Sequence, residues 1–227
     1  MAGNYKNIQD FIEFLEQKND LIRIKTKVSW NLEITEITQR VFQNGGPALL
    51  FENVADSDFP VLINIFGTEQ RMAWALGVEN LNQIAGKIEN LLGTVQGPPT
   101  GIVNKIKLLG DLINVARIGP KHHDKAPSQE IVHTGDAIDL TKLPILKTWP
   151  LDGGRYITLP LVITKDPETN IHNIGMYRMQ VFDKKTTGMH WQTQKVGRHH
   201  QTLEKKNGNS KMEVAVALGG DPALIWS

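Results

Sequence analysis

YITLPLVITKDPETNIHNIGMYRMQVFD, residues 156–183, sets two apolar runs around a turn-rich centre. Residues 156–164 and 174–183 have the length and the aromatic or β-branched content of strands, and Lys165-Asp166-Pro167-Glu168 between them is turn chemistry. Outward from this hairpin, further strands are expected at 130–133, 189–193 and 212–218, with Asp152-Gly153-Gly154 as another turn. Many short strands separated by turn clusters predict a barrel or sandwich over the second half of the chain.

The first half has a different period. Ile8, Phe11, Ile12 and Leu15 fall at helical spacing with Asp10, Glu13 and Glu16 between them, which predicts an amphipathic helix over 8–18. Ile22, Ile24 and Val28 then alternate with Arg23, Lys25 and Lys27 as in a strand with one wet face. A second helix is expected over 32–42, stopped by Gly45-Gly46-Pro47, followed by buried strands at 48–51 and 61–66. Helical patterns return at 70–76, 81–92 and 102–115 and carry no chemistry of their own. The polar, breaker-rich segment 119–129 is the expected boundary, giving a mixed α/β lobe over 1–118 and a strand-rich domain over 130–227. The last residues, Gly219-Gly220-Asp221-Pro222-Ala223-Leu224-Ile225-Trp226-Ser227, show no closing element, so the chain is expected to be cut short.

Composition narrows the function classes. With 25 Lys+Arg against 24 Asp+Glu the net charge is +1, which lacks the basic excess on which nucleic-acid binding draws. The absence of cysteine removes disulfides, thiolate metal sites and a cysteine nucleophile, and points to the cytoplasm. No run approaches the roughly 18 apolar residues of a membrane span.

Two clusters could carry chemistry. In Asn173-Ile174-Gly175-Met176-Tyr177-Arg178-Met179-Gln180, a strand would place Asn173, Gly175 and Tyr177 on one face and Met176, Arg178 and Gln180 on the other. Arg178 then either clamps a carboxylate or phosphate bidentately or is an incidental residue of a solvated edge strand. In His190-Trp191-Gln192-Thr193-Gln194-Lys195, an aromatic face, amides and a cation suit a planar ring with a phosphate tail, or else form a barrel strand with a core Trp and a basic turn. His122-His123 and His199-His200 read as loop or surface histidines, since adjacent strand residues point apart and rarely chelate one ion. Nucleotide-loop, nucleophile-elbow and zinc-protease motifs are all missing from the sequence.

Beyond composition and period, the set Gly135-Asp136-Ala137-Ile138-Asp139-Leu140-Thr141-Lys142-Leu143-Pro144, Trp149-Pro150-Leu151-Asp152-Gly153-Gly154-Arg155-Tyr156-Ile157-Thr158-Leu159-Pro160, Asn173-Ile174-Gly175-Met176-Tyr177-Arg178 and Gly219-Gly220-Asp221-Pro222-Ala223 closely resembles the UbiD family of carboxy-lyases. The resemblance runs over essentially the whole chain, in the order and spacing of the family's N-terminal half. It implies an α+β protein whose N-terminal α/β lobe precedes a split β-barrel flavin-binding domain similar to that of flavin reductases. It further implies non-oxidative decarboxylation of aromatic or α,β-unsaturated acids with prenylated FMN, manganese and often potassium. Polyprenyl-hydroxybenzoate of ubiquinone synthesis, a menaquinone-pathway acid and free phenolic acids are all substrates within that class.

Position by position, the resemblance makes Asn173 a manganese ligand and Arg178 the arginine of a Glu-Arg-Glu catalytic network. Met176, Tyr177, Arg178, His190, Trp191 and Gln192 would line the cofactor, with Gln194 and Lys195 at its phosphate. Some relatives place a metal-ligating histidine where Lys195 stands, and a protonated lysine cannot ligate. The acidic metal ligand and both catalytic glutamates match nothing in residues 1–227, so this stretch alone is expected to be inactive. A flavin prenyltransferase would supply the cofactor, the full-length protein would be a homo-oligomer, and a polyprenylated substrate would bring peripheral membrane association. From a different class, a split-barrel FMN-binding module acting as a reductase or carrier is the competing reading.

Overall fold

The computed structural model of the chain describes residues 5–95 and 123–226. Its first helix, α1 (Ile8–Gln17), starts where the Asn7 side chain accepts hydrogen bonds from the Gln9 and Asp10 amides, and it buries Phe11, Ile12 and Leu15. Strand β1 (Leu21–Ile24) pairs in parallel with β2 (Ala48–Phe51), which pairs antiparallel with β3 (Val61–Ile63). Every residue of β2 is buried, as a central strand covered on both faces requires. Alternation sends Ala48 into the cluster with Tyr5, Phe11, Leu15 and Ile65, and Leu49 and Phe51 into the cluster with Val28 and Ile34 of α2 (Glu33–Gln43).

Helices α3 (Glu69–Ala75) and α4 (Asn82–Val95) follow. Arg71 of α3 is 1% exposed, and its guanidinium donates to the Asp20 carboxylate at 2.8 Å and to the Gly46 carbonyl at 3.0 Å. One buried, paired charge thereby ties α3 to the turns before β1 and β2, and removing Asp20 would leave the buried guanidinium without its countercharge. The predicted helix at 102–115 and His122 lie outside the described residues, as does part of the 119–129 boundary.

Residues 155–226 carry six more strands: β4 (Arg155–Ile157), β5 (Leu161–Lys165), β6 (His172–Met176), β7 (Met179–Val181), β8 (Thr187–Met189) and β9 (Ala215–Ala217). They form two antiparallel sheets, β4-β7-β8 and β6-β5-β9. Val162, Tyr177 and Met179 are buried together, with Ile157, Met189 and Trp191 packed on them, so the two sheets share one apolar core. Arg155 joins this part to the first lobe: its guanidinium donates to the carbonyls of Thr141, Leu143 and Ile145 and lies 4.3 Å from the Trp30 ring centre. The Lys147 amide donates to Trp30 and its carbonyl accepts from Leu32.

Several sequence expectations are corrected. The run 156–164 is two strands, interrupted at Pro160, which has no N–H to give a ladder. The run 174–183 is likewise two strands, because the chain changes sheets at Tyr177-Arg178. No strand forms at 130–133, where Ile131 and Val132 stand 77% and 71% exposed with no core beside them. The strand expected at 189–193 instead occupies Thr187–Met189. His199 and His200, read as loop or surface residues, lie in a helix, α5 (Val196–Lys206); His199 is exposed as expected, but His200 is buried, 4% exposed. Gly219-Gly220-Asp221-Pro222 leads into a short helix, α6 (Pro222–Trp226), with the Asp221 carboxylate accepting from the Ala223 amide and Trp226 against Phe66. Both glycines have positive φ, +79° and +117°, which the turn requires. Among the described residues no helix is long and apolar enough to cross a membrane.

Candidate functional site

Strand β6 decides where the polar residues converge. Antiparallel pairing sets Asn173 opposite Thr164 and Gly175 opposite Val162. Asn173, Gly175 and Tyr177 therefore point to one side, the side on which α5 begins. Tyr177 is buried, its ring centre is 4.9 Å from that of Trp191, and its hydroxyl accepts the Gly197 amide at 2.8 Å. Space here is tight. A Cβ at Gly175 would lie 2.8 Å from the Tyr177 ring and 3.4 Å from the Asn173 amide nitrogen, and one at Gly197 would lie 2.5 Å from the Trp191 ring.

Lys195 sits immediately before α5. Its ammonium donates to the Met176 carbonyl at 3.1 Å and lies 5.3 Å from the Tyr177 ring centre. One of three N–H donors is thus engaged, which leaves two for an anion. The Lys195 side chain does not cap α5, and the Tyr177 hydroxyl takes the Gly197 amide of its first turn; the positive end of the helix adds to the lysine charge there. The arrangement offers a cation, a helix start, an aromatic pair and a side-chain amide around one corner of the sheet.

Arg178 faces a second group. Its guanidinium carbon is 4.7 Å from the Tyr156 ring centre, and among the described residues its side chain makes no hydrogen bond or ion pair. Tyr156 donates from its hydroxyl to Gln180 at 3.1 Å, and the Gln180 amide donates to the Gly153 carbonyl at 3.0 Å, so the platform beneath the arginine is held from both sides. Asp152 accepts from the Thr148 hydroxyl at 2.8 Å and the Trp149 amide at 3.0 Å. The Thr148 hydroxyl above all, then backbone N–H groups and the Arg178 charge, hold its carboxyl below the usual carboxylate range. A flat, cationic fork with unclaimed donors on an aromatic platform suits a carboxylate.

The structure thus brings together Asn173, the Met176 carbonyl, Tyr177, Trp191 and Lys195, and sets Arg178 on the neighbouring platform. His190 is exposed and joins the two only through its amide, which donates to the Arg178 carbonyl at 3.1 Å. Gln192 and Gln194 are exposed in the turn before α5, where the Gln192 carbonyl accepts the Lys195 amide. Residues 190–192 are therefore not the strand the sequence suggested. Trp191 leaves the ladder because its ring packs on Tyr177.

Sequence reasoning missed Gly197, Thr164 and His200, which frame the same corner. The available signal was Val196, His200 and Leu203 at offsets 0, 4 and 7, a helical stripe submerged in polar residues. A concavity of about 900 Å³ lies elsewhere, between the first lobe and β4, and is lined by apolar residues such as Leu50, Phe59, Val61 and Leu159. Of its lining residues, Tyr156 also belongs to the platform beneath Arg178.

As to what the corner could hold, Lys195 with the α5 start fits a phosphate, while Gly175 and Gly197 make room for the Tyr177 and Trp191 rings packed against them. Asn173 offers one neutral oxygen of the hard type that manganese accepts. Among the described residues no three His, Cys, Asp or Glu side chains gather as a metal cluster.

Comparison with known proteins gives a consistent picture. Residues 12–88 match the family described as 3-octaprenyl-4-hydroxybenzoate carboxy-lyase N-terminal domain, and residues 120–227 match the 3-octaprenyl-4-hydroxybenzoate carboxy-lyase Rift-related domain. An uncharacterized protein of Archaeoglobus fulgidus is 48% identical over 223 residues, which is 98% of this chain and 45% of that protein. Among solved structures, an evolved dimeric form of the UbiD-class enzyme HmfF from Pelotomaculum thermopropionicum in complex with prFMN superposes with a TM-score of 0.75 at 26% identity, covering 96% of this chain and 45% of that one. The closed form of vanillic acid decarboxylase from Sedimentibacter hydroxybenzoicus gives a TM-score of 0.75 at 25% identity, covering 98% and 44%. The chain spans somewhat under half the length of the proteins it matches.

Proposed function

Since the chain belongs to the UbiD family, we propose that it is the cofactor-holding N-terminal part of a decarboxylase acting on an aromatic or α,β-unsaturated acid with prenylated FMN and manganese. Residues 1–118 form the N-terminal lobe in this reading, and residues 130–227 contribute to a split β-barrel that holds the flavin. The observation that carries it is the corner where Asn173, Tyr177, Trp191, Lys195 and the start of α5 converge.

When bound, prenylated FMN supplies the electron sink that loss of carbon dioxide demands and that no side chain offers. Lys195 and the first turn of α5 would hold its phosphate, Tyr177 and Trp191 would pack beside it, and Asn173 would offer its amide oxygen to the manganese. Arg178 orients the substrate carboxylate with its free guanidinium fork. The proton donor and the acidic metal ligand match no position in residues 1–227, so activity belongs to a longer polypeptide. Cytoplasmic location, supply of the cofactor by a flavin prenyltransferase, potassium beside the manganese, and homo-oligomeric assembly complete the proposal. Peripheral membrane contact follows if the acid carries a polyprenyl tail.

The test is Asn173→Ala in the protein containing this chain, made together with a flavin prenyltransferase. Manganese and flavin retained after gel filtration are expected to fall together, because one oxygen is lost from a site that holds both. Unchanged metal and flavin contents would remove Asn173 from the site.

A further inference from the structure

His200 is the most buried titratable side chain of α5, and the proposed chemistry makes no use of it. Its Nδ1 lies 3.0 Å from the Thr164 hydroxyl, and its Nε2 lies 3.8 Å from the Asp166 carboxylate. Thr164 is itself 1% exposed, and Asp166 is fixed by the Glu168 and Thr169 amides of the β5–β6 turn. Two features make this more than core packing. Thr164 is the register partner of Asn173, and residues directly opposed in an antiparallel pair project to the same face. His200 also follows Gly197 by three residues on the buried side of α5, and Gly197 is where the helix meets Tyr177.

We infer that His200 and Thr164 are a positioning pair: their hydrogen bond fixes the start of α5, and with it the Lys195 ammonium, at a set distance from the Asn173 side chain. Besides the single Lys195–Met176 hydrogen bond, the helix is held by the Gly197 amide on Tyr177 and by His200 on Thr164. Losing the His200 contact lets α5 pivot about Tyr177, which loads that one ammonium–carbonyl bond and shifts Lys195 on β6 while both elements persist. Because Lys195 is the phosphate contact in the function proposed above, the displacement is expected to act on the phosphate more than on the ring. This inference rests on the reading of Lys195 as the phosphate contact.

The experiment compares FMN with riboflavin, which lacks the phosphate, on the full-length protein purified without prenyltransferase, by flavin fluorescence. Wild type is expected to prefer FMN. Thr164→Val, which keeps shape and removes the hydroxyl, is expected to weaken FMN about tenfold, the scale of one lost buried polar contact, with riboflavin unchanged. His200→Leu should act alike, while Thr164→Ser and His200→Asn, which retain a partner at the hydroxyl and Nδ1 positions, should restore most of the preference. If Thr164→Val and His200→Leu leave the FMN-to-riboflavin ratio within twofold of wild type, or weaken both ligands equally with a lowered Tm, the pair is merely structural and the inference fails. If wild type itself shows no preference for FMN, the phosphate reading of Lys195 falls, and this inference falls with it.

Discussion

Replacing Arg178 by Lys in the intact protein is expected to lower decarboxylation by about a hundredfold or more, the scale of removing one preorganised electrostatic group from a catalytic site. Flavin content should change little, because the guanidinium rests on Tyr156 rather than on the Tyr177–Lys195 corner. The substitution keeps the charge and discards the geometry. A lysine ammonium is a point charge that cannot present two parallel donors to a carboxylate, and its stacking on Tyr156 is weaker. Single-turnover rates and the flavin spectrum of the variant distinguish the possibilities. Activity within a few-fold of wild type would make Arg178 a platform residue only, and loss of flavin together with activity would move it to the cofactor.

The second large effect is expected at Gly197. In an ordinary helix, Gly→Ala stabilises by up to about 1 kcal/mol, through backbone entropy. Here the added methyl would stand 2.5 Å from the Trp191 ring and 2.8 Å from the Tyr177 hydroxyl, so something must move. Overpacking of that kind costs about 1–3 kcal/mol and displaces the start of α5. Gly197→Ala is therefore expected to lower Tm and to cut flavin retention more than tenfold. Gly86→Ala in α4, where a Cβ meets nothing within 4 Å, provides the opposite-signed control and should raise stability slightly. Normal flavin retention in Gly197→Ala would show that the corner between Trp191, Tyr177 and α5 does not contact the cofactor.

Where a segment's period was strong and its neighbours were near in sequence, residue patterns predicted the element well. Helix α1 and strand β2 follow directly from Phe11, Ile12 and Leu15 at helical spacing and from the unbroken Ala48–Phe51 run. Where partners are distant, local pattern misled. Ile131-Val132 looks like a strand and finds no core, while His199-His200, read as loop or surface residues, fall in a helix that packs Gly197 on Tyr177 and His200 on Thr164 of β5. The site divides in the same way. Alternation within β6 correctly put Asn173 on the side of Tyr177, and Arg178 departs from them because the chain changes sheets there. That Lys195 would turn back to the Met176 carbonyl, and that Gln192 and Gln194 would stay in solvent, depends on how the helix after them docks.

The account turns on which cofactor the β6–α5 corner holds. The most direct measurement is the mass and absorption spectrum of the flavin extracted from the protein containing this chain after it is made together with a flavin prenyltransferase, with manganese determined on the same sample. The account predicts prenylated FMN in stoichiometric amount, with manganese, both diminished when Lys195 is replaced by Ala. A well-folded protein that carries no flavin, or carries only unmodified FMN whose retention is indifferent to Lys195, would contradict it.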